Sequence, residues 1–442
     1  MNPSAGSDQD ISGPAYLRLV LLGALIGIPA ALVAAGFLAF VHWLEDRLWH
    51  DLPDLLGYSS PPWFLVIALP ALGACTVVAA RHFLPGDGGH PPLEGLGGKP
   101  TPVSYGPSVA LAAIGTLAFG AVLGPEAPLI ALGSLVGLAF APLVRPGPKE
   151  EAVIGTAGSF SAISAVFGGP LVAGVLLLEA SVGLGAAAIP VLLPGLVAAA
   201  VGYLIFVGLG DWGGLHETAL AVPGLPAYDG TSVEDLLVAL AVGIAAAIVI
   251  IFVRRLGYGV DAFRPRLGMP ALLIAGGLAV GLLAELADVL GADSQDVLFS
   301  GQSSVPVVIT EDSVWVVLVL IAAKALAYSV SLGCGFRGGP VFPAVFLGVA
   351  LATLAVIIFD VSPTLAVAVG TAAGVAAMTR LVFASVLFAA LLVGRDGLDA
   401  IPAAVLAAVA AWLIMAAVER LSPTQAGAEG TEAGAPPGGS KA

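Results

Sequence analysis

Charge is scarce in this chain. Of its 442 residues, 10% are Asp, Glu, Lys or Arg, where a soluble domain carries roughly 25%. The little charge present runs acidic, 16 Lys and Arg against 30 Asp and Glu, a formal net charge of −14. Without a basic excess, nucleic acid is not expected as a partner. Cysteine is nearly absent. Cys75 and Cys334 lie in or beside apolar runs, which argues against a disulfide scaffold or a thiolate metal site. The five histidines, His42, His50, His82, His90 and His216, show no ligand spacing. No cleavable signal pattern opens the chain, since the first fifteen residues are polar and acidic. There is no paired His/Asp metal set, no Ser–His dyad in matching breaks and no nucleotide-binding loop. An enzyme is therefore not expected, and neither a metal nor another cofactor.

Apolar sequence is abundant instead. Hydrophobic residues make up 58% and the mean hydropathy is +1.02, so the chain reads as an all-α polytopic membrane protein. Residues 16–41 form a run long enough to cross a bilayer with tilt. Residues 42–62 are amphiphilic, with Trp43, Trp49 and Tyr58 suited to the interface. Further apolar runs cover 63–83, 107–123, 129–143, 152–166, 171–178 and 186–209. In the second half they cover 236–253, 271–290, 314–332, 365–378, 382–393 and 401–418. Several are too short to span, and backbone broken at membrane depth survives only against protein or a watery cavity. The reading divides the chain into a polar segment 1–15, a first half 16–209, a loop 210–235, a second half 236–420 and a disordered Gly/Ala/Pro/Glu-rich tail 421–442. Arg145, Lys149, Arg254, Arg255, Arg264 and Arg266 mark candidate cytoplasmic loops.

One stretch organises the rest, Gly124-Pro125-Glu126-Ala127-Pro128. Gly then Pro is a natural helix start, because proline lacks an amide that would have no intrahelical partner there. The remaining free N–H groups and the positive end of the dipole attract anions. Glu126 sits in this first turn. An acid at membrane depth is costly and is a functional candidate by default; the plainer alternative is a helix cap.

The pattern returns. Gly339-Pro340-Val341-Phe342-Pro343 and the residues after it repeat the G-P-x-x-P-x-x-x-L-G of 124–133 at an offset of 215 (339 − 124). Gly370-Thr371-Ala372 repeats Gly155-Thr156-Ala157 at the same offset, and Gly301 to Pro306 matches Gly86 to Pro91 in its glycine and proline. Three matches in one register imply a duplication. Gly/Pro-interrupted segments at matching places in two halves point to a transporter site between repeats. Seven segments precede the one at Gly339, counted from Gly124, so the repeats should be inverted.

At these residues the chain resembles the CLC family of anion channels and proton-coupled anion exchangers, over roughly 16–420. Residues 124–128 look like its G-K/R-E-G-P motif, which places Glu126 at the gating glutamate. Residues 339–343 look like G-x-F-x-P, 86–95 look like G-S-G-I-P-x-x-E-G, and Phe167 to Leu171 match a helix break found there. The resemblance implies an inverted repeat with broken helices, one pore per subunit in a homodimer, and chloride or a similar small anion as cargo, with protons as a possible second one. The abundance of Ala, Gly and Val points to a bacterium, and so to its plasma membrane.

Departures from the family pattern refine the expectation. The family's serine falls at Gly88 and its phenylalanine at Val341. Pro340 has no N–H to offer, and no tyrosine follows Tyr328. Anion binding would then rest on the Gly88–Gly89 turn, the amides of Glu126, Ala127, Val341 and Phe342, and His90 as an extra donor or merely a loop histidine. The family's inner proton acid falls at Ala180, next to Glu179. Glu179 is the possible inner proton site, or else a helix-end or dimer-facing acid. The leading expectation is passive or weakly coupled anion transport gated by Glu126. Proton–anion exchange is the alternative, and a transport-inactive structural or regulatory membrane protein is the alternative of another class.

Overall fold

Glycine or proline sets most of the helix boundaries in this chain. The structure, a computed structural model, describes residues 13–97, 100–144, 147–180, 189–209 and 220–421. Residues 1–12, the loop positions 210–219 with His216, Arg145 and the tail 422–442 lie outside the described residues, as does the side chain of Lys149.

Fourteen helices of eleven residues or more are seen among the described residues, seven in each half. The first half holds α1 (Gly13–Asp46), α2 (Trp63–Phe83), α3 (Gly106–Leu117), α4 (Glu126–Val144), α5 (Pro148–Val166), α6 (Pro170–Ala180) and α7 (Ile189–Val207). The second holds α8 (Val233–Asp261), α9 (Met269–Val289), α10 (Val314–Cys334), α11 (Val341–Phe359), α12 (Pro363–Thr379), α13 (Val382–Val393) and α14 (Ile401–Leu421). Each helix of the first half has its counterpart seven places on. The packing repeats with them: α4 lies on α5 as α11 lies on α12, and α1 on α7 as α8 on α14. The halves join chiefly where α2 packs on α9.

Small residues make these contacts possible. A Cβ on Gly133 would run into the backbone of Gly158, and one on Gly348 into the backbone of Gly370. Apolar helices gain no hydrophobic drive from association in lipid, so close backbone approach and dispersion hold them together. Seven helical stretches among the described residues are long and apolar enough to cross a membrane. The chain is an integral membrane protein. The 34 residues of α1 extend about 51 Å at 1.5 Å per residue, well beyond a ~30 Å hydrocarbon core. In contrast, α3, α6 and α13 have 12, 11 and 12 residues and, at 1.5 Å per residue, are too short to cross a ~30 Å core.

Two details depart from expectation. Trp49 is buried, not interfacial. The chain after α1 widens into a π-helical turn at Arg47–Asp51, and the indole lies inward, where its N–H finds the Ala118 carbonyl at 3.0 Å. The helix holding the apolar run 236–253 starts earlier than the run, because Ser232 and Asp235 form a reciprocal capping box that begins α8 at Val233.

Candidate functional site

Pro125 and Pro340 each end a broken stretch and start a helix, 215 residues apart, so the duplication builds two facing helix N-termini. Just before them, Gly124 and Gly339 pair as an isolated antiparallel bridge. Into this junction projects Glu126, fully buried. Its Oε1 accepts the N–H of Val341 at 2.5 Å and of Phe342 at 3.4 Å. These are amides that a helix start leaves without partners. The carboxylate of one half therefore caps the helix of the other, while its Oε2 has no hydrogen-bond partner.

Two cavities approach this point from opposite ends. One, of about 440 Å³, is lined by Pro125, Phe342 and Val345, with His42, Glu45, Ser300 and Gln302 toward its mouth. The other, of about 870 Å³, is lined by His90, Glu179, Arg254, Pro340, Arg380 and Glu419 among others. Glu126 lies in the partition between them. The duplication relates the cavities too: Pro125 and Pro306 line the first where Pro340 and the loop after Pro91 line the second. The second cavity is lined by Arg254, next to Arg255 and at the end of α8 that leads to Arg264 and Arg266; with these as the candidate cytoplasmic residues, it is the inner cavity. From the partition, α11 runs outward, with Val345 on the outer cavity. In α4, Ser134 accepts the Thr101 N–H at 3.1 Å, beside the inner loop. The two helices thus diverge from the centre, which is the inverted arrangement.

Aromatic rings close the partition. Phe342 stacks on Phe167 at 6.0 Å and meets Phe388 edge-on at 5.8 Å. Tyr328 donates to the Pro340 carbonyl at 2.6 Å. It reaches the α11 N-terminus from α10, and its distance from the motif in sequence hid it. The broken stretches are pinned by buried cations. Arg337 donates from Nε to the Asp87 carbonyl at 2.9 Å, and both it and Arg81 pair with the Asp87 carboxylate. Lys324 donates to the carbonyls of Leu298 at 2.7 Å and Asp296 at 3.0 Å, with Phe346 below it.

The expected site residues do not all converge. Glu126, Ala127, Val341 and Phe342 meet at the junction. Gly88 does not join them, because its N–H is taken by Ser108 Oγ at 2.9 Å. Gly88 and Gly89 lie within the inner loop, Gly88 near Ala112 and Arg337, Gly89 near Val109. His90 lines the inner cavity, and its Nε2 is buried without a partner. Glu179 lines the same cavity but acts as a cap. Its oxygens accept the N–H groups of Val382 at 2.6 Å, Phe383 at 3.1 Å and Ala384 at 2.9 Å, the first turn of α13.

An inverted repeat of broken helices, with an acid on facing helix N-termini between two cavities, is the build of an ion-transport protein. The model of the family described as voltage gated chloride channel matches residues 92–416, and the chain belongs to this CLC family. It is 31% identical over 350 residues to YfeO of Escherichia fergusonii, named as a candidate ion-transport protein, covering 76% of this chain and 78% of that one. An Escherichia coli YfeO is 32% identical over 352 residues, with the same coverage. Among solved structures, a slow cyanobacterial Cl⁻/H⁺ antiporter superposes with a TM-score of 0.73 at 17% identity, over 93% of this chain and 99% of that one. A CLC-type fluoride/proton antiporter gives 0.70 at 20% identity, over 92% and 97%.

Proposed function

We propose that this chain carries a small inorganic anion, chloride foremost, across the bacterial plasma membrane, and that Glu126 is its gate. The observation behind this reading is the Glu126 carboxylate on the amides of Val341 and Phe342, between two cavities that end on either side of it. A carboxylate on facing helix N-termini occupies a position suited to an anion. When it leaves, or takes up a proton, the same amides are free for cargo. The functional unit on this reading is a homodimer in the lipid bilayer, with one pathway per subunit; mass photometry in mild detergent giving mainly monomers would count against the dimer.

Coupling to protons is proposed to be weak or absent. An inner proton acceptor should have free oxygens facing water, and Glu179 has both of its oxygens on α13 amides. The position after it is Ala180, which cannot bind a proton. Proton-coupled exchange is the second reading. It is favoured by Glu179 and Pro340 sharing one cavity, so that water could link them, and by the antiporters that share this fold.

Purified protein in liposomes, loaded with chloride, fluoride or nitrate and tested with and without a pH gradient, decides the matter. Anion efflux above protein-free liposomes supports the proposal, with little linked proton movement. No flux of any anion would leave the transport-inactive reading.

A further inference from the structure

The outer cavity holds a carboxyl group that the gate does not use. Glu45 lies in the last turn of α1, and with His42, three residues earlier, it lines the cavity that ends at Pro125 and Phe342. Residues three apart share one helix face. The remaining lining residues are apolar or neutral: Ser300, Gln302 and Ser303 supply the polar ones, and leucine, valine, phenylalanine and proline supply most of the rest.

On the premise that the chain carries anions past Glu126, we propose that Glu45 is a second acid on the outer path, whose charge sets how readily an anion enters from outside. Five carboxyl groups line the two cavities or the partition: Glu45, Glu94, Glu126, Glu179 and Glu419. Glu126 and Glu179 each receive backbone amides. Among the described residues, the Glu45 side chain has no hydrogen bond and no salt bridge, although Glu45 itself lies within α1. The nearby charges do not compensate it. Arg47 is held by Asp51 and lies over the Trp43 ring. Asp46 adds a second acid beside it, 3.7 Å from His50. Lys324 sits behind Gly301, bound to the carbonyls of Leu298 and Asp296. Glu126 lies beyond Pro125 and is also an acid. His42 is the remaining titratable group on the cavity wall.

The inner cavity differs in carrying both signs, Arg254 and Arg380 beside Glu94, Glu179 and Glu419, with Arg380 paired to Glu419 at 3.4 Å. A charge in a cleft with apolar walls is poorly screened, and the cleft focuses its field on whatever enters. Ionised Glu45 therefore repels an entering anion, and protonated Glu45 does not. Flux rises as the external solution is acidified, by a route separate from the gate. Internal acidification does not act through this group.

The experiment removes the gate first. Anion flux is measured in E126Q proteoliposomes while external pH alone is lowered from neutral to mildly acidic, and again in the double variant Glu45→Gln, Glu126→Gln. Glutamine keeps the volume, and elution of a single folded species checks the fold. The expected result is acid activation of roughly threefold or more in E126Q. The double variant should run fast already at neutral pH and respond little to external acid, and Glu45→Lys should behave the same way. Identical external-pH profiles in E126Q and the double variant overturn the proposal. If E126Q and the wild type carry no anion at all, the transport reading itself has failed, and this proposal falls with it.

Discussion

Gly124 and Gly339 exchange two backbone hydrogen bonds, Gly124 N to Gly339 O at 2.7 Å and Gly339 N to Gly124 O at 2.6 Å. They are equivalent positions of the duplicated sequence, so the pseudo-two-fold axis of the molecule passes between them. Each bond closes off a carbonyl and an amide that would otherwise be unpaired at membrane depth, where an unsatisfied group costs several kcal/mol. This bridge fixes the spacing of the two helix starts that Glu126 joins. The lack of a side chain matters as much as the bonds: a Cβ on either glycine would collide with the Glu126 carboxyl group.

The first prediction follows from that collision. In Gly339→Ala the new methyl meets the movable end of a side chain, so the protein should fold and the carboxylate should leave the Val341 and Phe342 amides. Anion flux at neutral pH should rise toward that of Glu126→Ala. Wild-type flux in Gly339→Ala would show that the slot accommodates the methyl and that its fit to the gate is looser than the geometry indicates.

Glu126→Gln and Glu126→Ala test the gate itself. A hydrogen bond to a charged group contributes about 1.5–3 kcal/mol, so its removal should raise the open population roughly tenfold or more. In the wild type, protonation weakens the same bonds, so flux should increase as pH falls. Both variants should start high at neutral pH and lose the gate's share of that dependence. Wild type and both variants giving one flux–pH curve would refute the assignment.

Much of this arrangement was legible in the sequence, because the duplication is written in glycine and proline. The register of 215 makes 124 and 339 equivalent and predicts the matching starts of α4 and α11. It also relates the outer loop 301–306 to the inner loop 86–91. Broken helices follow from short runs between Gly/Pro breaks. What stayed hidden depends on side chains meeting across long separations. Tyr328 reaches Pro340 from the preceding helix, and Ser108 takes the Gly88 amide that an anion would need. No local pattern marks either contact. Trp49 failed for the same reason: an amphiphilic stretch with tryptophans reads as interface, and only the fold reveals a carbonyl waiting at Ala118.

Lys324 supports a prediction about the outer loop. Its ammonium serves two carbonyls, those of Leu298 and Asp296, over the ring of Phe346. Lys324→Met fills the space but leaves both carbonyls without that donor. Each buried unsatisfied group costs about 1–3 kcal/mol. The variant should melt at a lower apparent temperature in detergent, and amides of 299–305 should exchange faster than those of α4 and α11. Unchanged melting together with unchanged exchange would mean that the loop holds without its cation.

Glu179 separates a cap from a proton carrier. Three N–H groups of the first turn of α13 end on its two oxygens. A proton on the remaining lone pair of Oε2 would remove the charge that strengthens all three bonds, so shuttling through Glu179 would loosen α13 on every cycle. Glutamine keeps one acceptor oxygen and loses the charge that favours a helix N-terminus. Glu179→Gln should therefore lower stability by about 0.5–2 kcal/mol, the usual cost of a lost cap. Anion flux should stay close to wild type in the variant that folds. The decisive reading is proton movement under an imposed anion gradient in proteoliposomes, followed by internal pH. Little uphill proton movement in the wild type, and none lost in Glu179→Gln, is the expected outcome. Uphill movement at a fixed ratio, abolished by Glu179→Gln while anion flux continues, would make Glu179 the inner proton acceptor and the chain a coupled exchanger.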